Sequence, residues 1–229
     1  MKDFSIIEKK LNIEFKNKDL LMQAFCHRSF LNENPDFKLS NNERLEFLGD
    51  AVLELVVTDY LFRHFPKKKE GELTNLRAAL VNAHMLFSLS KKLGFGDFLL
   101  LSRGEEKDTG KGREYILANA FEAFIGALYI DGGYKKCESF LKRYLFPEIE
   151  KIIEKGQIKD AKSRLQEEAQ ERLKITPSYK VLDEWGPDHA KHFLVGVFLG
   201  DEMVVKSEGS SKREAEESAA KEALKIKRW

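Results

Sequence analysis

Apolar residues recur at spacings of three and four along roughly the first 155 positions, then alternate singly over parts of the remainder, so a helical region precedes a mixed one. Residues 42–62, NERLEFLGDAVLELVVTDYLF, predict one long central helix. Leu45, Phe47, Leu48, Val52, Leu55 and Val56 cover most of its faces. At about 100° per residue, Glu43, Glu46, Asp50 and Glu54 fall within an arc of about 80°. That polar stripe is narrower than a surface helix normally shows, so the helix is expected to be packed nearly all round with its acids in a cleft.

The flanking elements follow from the same periodicity. Residues 4–11 and 17–31 predict two helices, with Asn17 and Asp19 as start signals, before a polar loop over 32–40 that contains Pro35. His64, Phe65 and Pro66 stop the central helix. Residues 72–83 and 82–93 predict two more helices, the second ending at Gly94, and the polar, glycine-rich stretch over 99–114 predicts a loop. Residues 113–130, REYILANAFEAFIGALYI, predict an apolar helix ended by Asp131, Gly132 and Gly133, with Asn119 and Glu122 three positions apart. A last helix over 134–154 leads to a short hinge at 155–157. Beyond it the pattern predicts a helix over 160–173, strands over 178–184, 192–199 and 203–207, and an alanine-rich helix over 211–227. That α-β-β-β-α unit of about 70 residues is a plausible small domain.

With 229 residues, 42% hydrophobic and 34% charged, the chain has room for one large core or two domains and is neither disordered nor membrane-like. The N-terminal MKDFSIIEKKLNIEFKNK is charged throughout and lacks the apolar core of a signal peptide, which makes the cytoplasm the expected location and a membrane partner unexpected. Two cysteines, Cys26 and Cys137, are too few for a disulfide framework or a zinc site. The net charge is +1, and from Gln157 onward 14 Lys and Arg balance 14 Asp and Glu. Any nucleic-acid contact must therefore depend on where the charges lie.

The acidic stripe has two readings on spacing alone. It is a solvated face, or it is a cation site, because like charges one turn apart destabilise a helix by a few tenths of a kcal/mol and burial costs more unless a cation is present. Glu43 also fits a capping box with Ser40, Asn41 and Asn42. Asn119 and Glu122 are either a hydrogen-bonded pair in a helix core or, with Glu46 and Asp50, a set of oxygen ligands of the kind Mg²⁺ requires. In the C-terminal unit, Lys212 and Arg213 open a helix, where the backbone and dipole favour a phosphate. Gln166 and Gln170 lie one turn apart, and His189 sits in a loop between strands. Together these three elements could span two minor grooves and the major groove between them on A-form RNA.

The segment NERLEFLGDAVLELVV resembles the hallmark of bacterial ribonuclease III. GELTNLRAALVN, GREYILANAFEAFIGALYIDGG and GPDHAKHF with GSSKREAEESAA resemble further blocks of that family in the same order, so the resemblance covers nearly the whole chain. It implies a multidomain fold: an all-α endonuclease domain (1–155), a short linker (156–159) and a small α+β double-stranded-RNA-binding domain (160–229). The implied activity is Mg²⁺-dependent cleavage of double-stranded RNA, with Mn²⁺ as a substitute ion, by a homodimer that leaves 5′-phosphate and 3′-hydroxyl ends with a short 3′ overhang. The implied cellular work is rRNA and mRNA processing, with no small-molecule organic cofactor. By resemblance, Glu46, Asp50 and Glu122 are metal-binding carboxylates, Asp50 and Glu122 are catalytic, and Glu43 and Glu70 are supporting acids. Gln166, Gln170, His189, Lys212 and Arg213 fall at RNA-contacting positions. One departure stands out: Asn119 occupies a position that is usually Asp, which removes one negative charge from the set. Two outcomes are open, a variant that still cleaves and an RNA-binding protein that has lost turnover.

Overall fold

The computed structural model describes residues 2–107, 110–154, 161–187 and 191–229. The chain separates into two compact units, Met1–Lys155 and Gly156–Trp229. The expected linker over 156–159 lies outside the described residues.

In the first unit, α1 (Ser5–Leu11), α2 (Lys18–Ala24) and α3 (Arg28–Glu33) precede the central helix α4 (Glu43–His64). Then come α5 (Glu70–Val81), α6 (Ala83–Leu93), a 3-10 turn at Phe95–Asp97, α7 (Arg103–Lys107), α8 (Lys111–Tyr144) and α9 (Pro147–Glu154). The decisive packing is between α4 and α8. A Cβ placed on Gly49 would stand 1.7 Å from the Glu122 carbonyl oxygen, and one on Gly126 would stand 2.1 Å from the Leu45 carbonyl oxygen. The two backbones therefore touch, an approach that only glycine permits. Around this crossing Phe25, Phe95, Phe121 and Phe124 are fully buried. Their rings meet at 5.0 Å (Phe25 and Phe95) and 5.1 Å (Phe95 and Phe124) in edge and tilted contacts, the arrangements aromatic quadrupoles favour.

Several expectations from periodicity are corrected. The helix expected over 17–31 is two helices, because Cys26 pairs with Leu100 in an isolated parallel bridge. Leu100 donates its N–H to the Phe25 carbonyl at 2.8 Å and His27 donates to the Leu100 carbonyl at 3.1 Å. Backbone groups used in that pairing are lost to a continuous helix, so tertiary contact overrides the local pattern. The helix expected over 134–154 is also broken, between Tyr144 and Pro147, since proline lacks the N–H and disfavours helical backbone before it. The stop expected at Asp131 to Gly133 is a kink within α8, where Gly133 adopts φ 71°, open to glycine but strained for other residues. The stretch over 99–114, expected to be loop, contains α7.

Nor is α4 packed nearly all round. Phe47 is 83% exposed, Phe62 71% and Leu55 58%, so one copy of the chain covers the side of α4 that meets α8 and leaves an apolar stripe in solvent. The capping box at its start does not form either. Asn42 makes no side-chain cap and instead donates its amide to the Ala24 carbonyl at 3.2 Å, while Asn41 Oδ1 receives the Glu43 N–H at 3.3 Å.

The second unit runs α10 (Ala161–Leu173), β1 (Ser178–Trp185), β2 (His192–Leu199), β3 (Glu202–Gly209) and α11 (Lys212–Lys227). The strands form an antiparallel sheet in the order β1-β2-β3. Leu165, Val197, Ala219, Ala220 and Ala223 form its core. The alanines of α11 let it lie close: a Cβ on Gly209 would stand 2.4 Å from the Ala215 nitrogen. Among the described residues no helix is long and apolar enough to cross a membrane. Cys26 and Cys137 are buried free thiols, which burial pushes up to about 11 and about 12, so both are inert as nucleophiles or ligands near neutral pH.

Candidate active site

On α8, Asn119, Glu122 and Gly126 recur at spacings of three and four and share a face, and on α4 Glu46, Gly49 and Asp50 sit at the matching level. Because the backbones touch at the two glycines, these oxygen-bearing side chains are brought together from two helices. The carboxylates repel. Glu122 is pushed up to about 7, first by burial and then by the charges of Asp50 and Glu46. Glu46 is also raised, by burial and by Glu43 and Asp50, and the Asn119 amide opposes this by donating a hydrogen bond to it. A carboxyl half-protonated near pH 7 for these reasons marks a place where a cation would be strongly favoured.

The donor set suits a hard cation: three carboxylates and one amide, with no sulfur or imidazole. Among the described residues no three Asp, Glu, His or Cys side chains close into a compact ligand cage. Mg²⁺ retains several waters and is commonly held through only one or two direct carboxylates.

Glu43 lies beside the cluster, whereas Glu70 lines a different cavity. Glu43 pairs with Arg28 at 3.8 Å and adds its charge to the field at Glu46. Glu70 accepts a hydrogen bond from Thr74 Oγ1 at 3.0 Å and lines a separate cavity of about 450 Å³ with Phe62 and Arg77. A larger, polar cavity of about 740 Å³ includes Glu43, Glu46 and Asn119. The residues that sequence reading missed are Gly49 and Gly126. The available signal was a lone glycine inside each apolar helix, which usually marks close backbone approach.

In the second unit Gln166 and Gln170 are both exposed on α10, with Gln170 donating weakly to Thr176 Oγ1 at 3.4 Å. Lys212 and Arg213 are exposed at the start of α11, where Ser211 caps the helix by accepting the Glu214 N–H at 3.2 Å. The Lys212 ammonium stands 5.5 Å from the Phe193 ring centroid. His189 lies outside the described residues.

Comparison with known proteins gives the same division. Residues 17–149 match the Ribonuclease-III-like family and residues 161–227 match the double-stranded RNA binding motif. The chain is 46% identical over 215 residues to Ribonuclease 3 of Borreliella burgdorferi, covering 94% of this chain and 87% of that protein. It is 46% identical over 226 residues to Ribonuclease 3 of Nitratiruptor, covering 99% and 97%. The crystal structure of the nuclease domain of ribonuclease III from Campylobacter jejuni superposes with a TM-score of 0.58 at 44% identity, covering 65% of this chain and 97% of that one. A second structure of that domain, described for structural flexibility in a region involved in dimer formation, gives 0.57 at 44% identity over 63% of this chain and 97% of its own. Helical nuclease unit, α-β-β-β-α unit and near-full-length similarity together establish that the chain belongs to the bacterial ribonuclease III family of double-stranded-RNA-specific endoribonucleases.

Proposed function

We propose that Glu46, Asp50, Asn119 and Glu122 hold Mg²⁺, replaceable by Mn²⁺, and that this cluster is where the RNA strand is cut. The observation that carries the proposal is the upward displacement of Glu122 to about 7 by burial and by two carboxylates of another helix. Family membership supports metal dependence in general, and the oxygen-only donor set narrows it to hard cations. When bound, the ion supplies an activated water and offsets charge developing on the phosphodiester. Glu122 and Asp50 are the catalytic pair, supplying charge from α8 and α4 respectively. Asn119 contributes an amide oxygen while its N–H steadies Glu46, which favours a working variant over a disabled one.

Gln166, Gln170, His189, Lys212 and Arg213 are assigned to duplex contacts, reading A-form shape and phosphates and not base identity. The domain division 1–155, 156–159 and 160–229 is part of the same reading. The exposed Phe47, Leu55 and Phe62 support a homodimer formed through α4, since large apolar side chains left in solvent along one face of a helix suit an interface. Glu43 and Glu70 act as supporting acids. Products with 5′-phosphate and 3′-hydroxyl ends, action on rRNA and mRNA precursors, and a cytoplasmic setting complete the proposal. The test is incubation of the full chain with a long RNA duplex in Mg²⁺ or in EDTA. Shortening in Mg²⁺ alone, with 5′-phosphate termini, is expected; equal shortening in EDTA would overturn the metal assignment.

A further inference from the structure

The polar cavity of about 740 Å³ adjoins the acid cluster, with Glu46 and Asn119 in its lining. Glu43, Glu105, Arg28, Ser29 and Tyr115 also line it, so Arg28 is its one guanidinium among three carboxylates. A cation with a full shell of waters needs on the order of 200 Å³ at about 30 Å³ per water, so most of this space lies beyond any metal. Two features of the lining suit a nucleotide. Arg28, with 74% of its side chain exposed, is paired with Glu43 at 3.8 Å, itself 54% exposed. So loose and exposed a pair adds little to stability, yet it orients a guanidinium whose planar fork matches phosphate oxygens. Tyr115 leaves 62% of its surface in solvent on the same cavity, an aromatic ring available for packing against a ribose or base. His27 of the same lining is held in place: its Nδ1 receives the Ser29 N–H at 3.3 Å and lies 2.8 Å from Ser29 Oγ.

We propose that this cavity is the subsite for the nucleotide adjoining the scissile phosphodiester, with Arg28 gripping its phosphate, Tyr115 packing on its sugar and base, and Glu43 positioning Arg28. The assignment rests on the acid cluster being the cleavage site. It gives Glu43 a role through Arg28 and not through the metal.

The test compares the full chain with Arg28→Ala, Arg28→Lys and Glu43→Gln on an RNA duplex of defined sequence. Arg28→Ala raises KM about tenfold, the loss of one charged hydrogen bond, while kcat stays within a few-fold. Arg28→Lys recovers part of that loss, because the charge remains but the fork does not. Glu43→Gln raises KM less than Arg28→Ala. In a Glu122→Gln background, where duplex stays intact, adding Arg28→Ala lowers the slope of log affinity against log salt by about 0.7 to 0.9, one phosphate contact. Unchanged KM and unchanged salt slope in Arg28→Ala would overturn the proposal, as would a fall in kcat with KM intact. A wild-type chain that binds duplex without cutting it would overturn the cleavage-site reading alone, and the salt slope would still decide Arg28.

Discussion

The two units of this chain handle charge in opposite ways. In the nuclease unit, carboxylates from α4 and α8 are forced together at a backbone contact, and burial with mutual repulsion lifts Glu122 to about 7. In the RNA-binding unit, Gln166, Gln170, Lys212 and Arg213 stand in solvent and gain little from one another. The first unit stores electrostatic cost in one place, which on the proposed assignment a cation would relieve; the second would spread weak contacts over a surface. Chemistry needs concentration, whereas recognition of a regular duplex tolerates dispersal. Single substitutions should therefore be severe in the first unit and graded in the second.

The sharpest break of that contrast is Glu122→Gln. Cleavage of an RNA duplex should fall by more than the roughly 10- to 100-fold that loss of an outer partner of a metal ligand costs, while duplex affinity measured by gel shift stays the same. Next is Gly126→Ala, whose new Cβ would meet the Leu45 carbonyl at 2.1 Å. Separating α4 from α8 should lower the melting temperature by roughly 3 to 10 °C and reduce cleavage with it; an unchanged melt and rate would show that the crossing does not set the site.

A subtler effect is linked to pH. The carboxyl of Glu122 is raised from 4.5 to about 7 in the folded, metal-free chain, so folding takes up a proton between those values. That contribution is fully present below 4.5 and lost as pH rises through 7. Glu122→Gln should accordingly be more stable than the wild type above pH 7, by about 1 kcal/mol after allowance for solvent screening. Denaturant melts of the metal-free proteins should show that gain vanish toward pH 4.5. The smallest effect belongs to the other unit: Lys212→Ala should lower the salt slope of duplex binding by about 0.7 to 0.9 with little change in cleavage at low salt. A loss of kcat instead would blur the division of labour.

Much of this was legible in the sequence, and the exceptions have physical causes. Spacing placed Glu46 and Asp50 on one helix face and Asn119 with Glu122 on another, because the α-helix fixes those angles. It could not say that the helices meet at Gly49 and Gly126, since contact between distant elements leaves no local period. The same blindness produced a continuous helix over 17–31, which Cys26 interrupts to pair with Leu100. Phe47 and Leu55 read as core because periodicity reports apolar character and not what covers it; in one copy of the chain they remain exposed. The capping box at Glu43 failed for a related reason, since Asn42 is drawn to the distant Ala24 carbonyl. The alternating strands and alanine-rich helix of the second unit were read nearly to their ends, because their core depends on regular local patterns.

On the proposed assignment, carboxylates of α4 and α8 bind one divalent ion jointly. Titration of Mn²⁺ into the full-length wild-type chain, Glu46→Gln and Glu122→Gln, with free ion followed by electron paramagnetic resonance, tests it directly. Saturable binding by the wild type that weakens when either helix loses its carboxylate is the predicted result. Equal Mn²⁺ binding by all three proteins would contradict it.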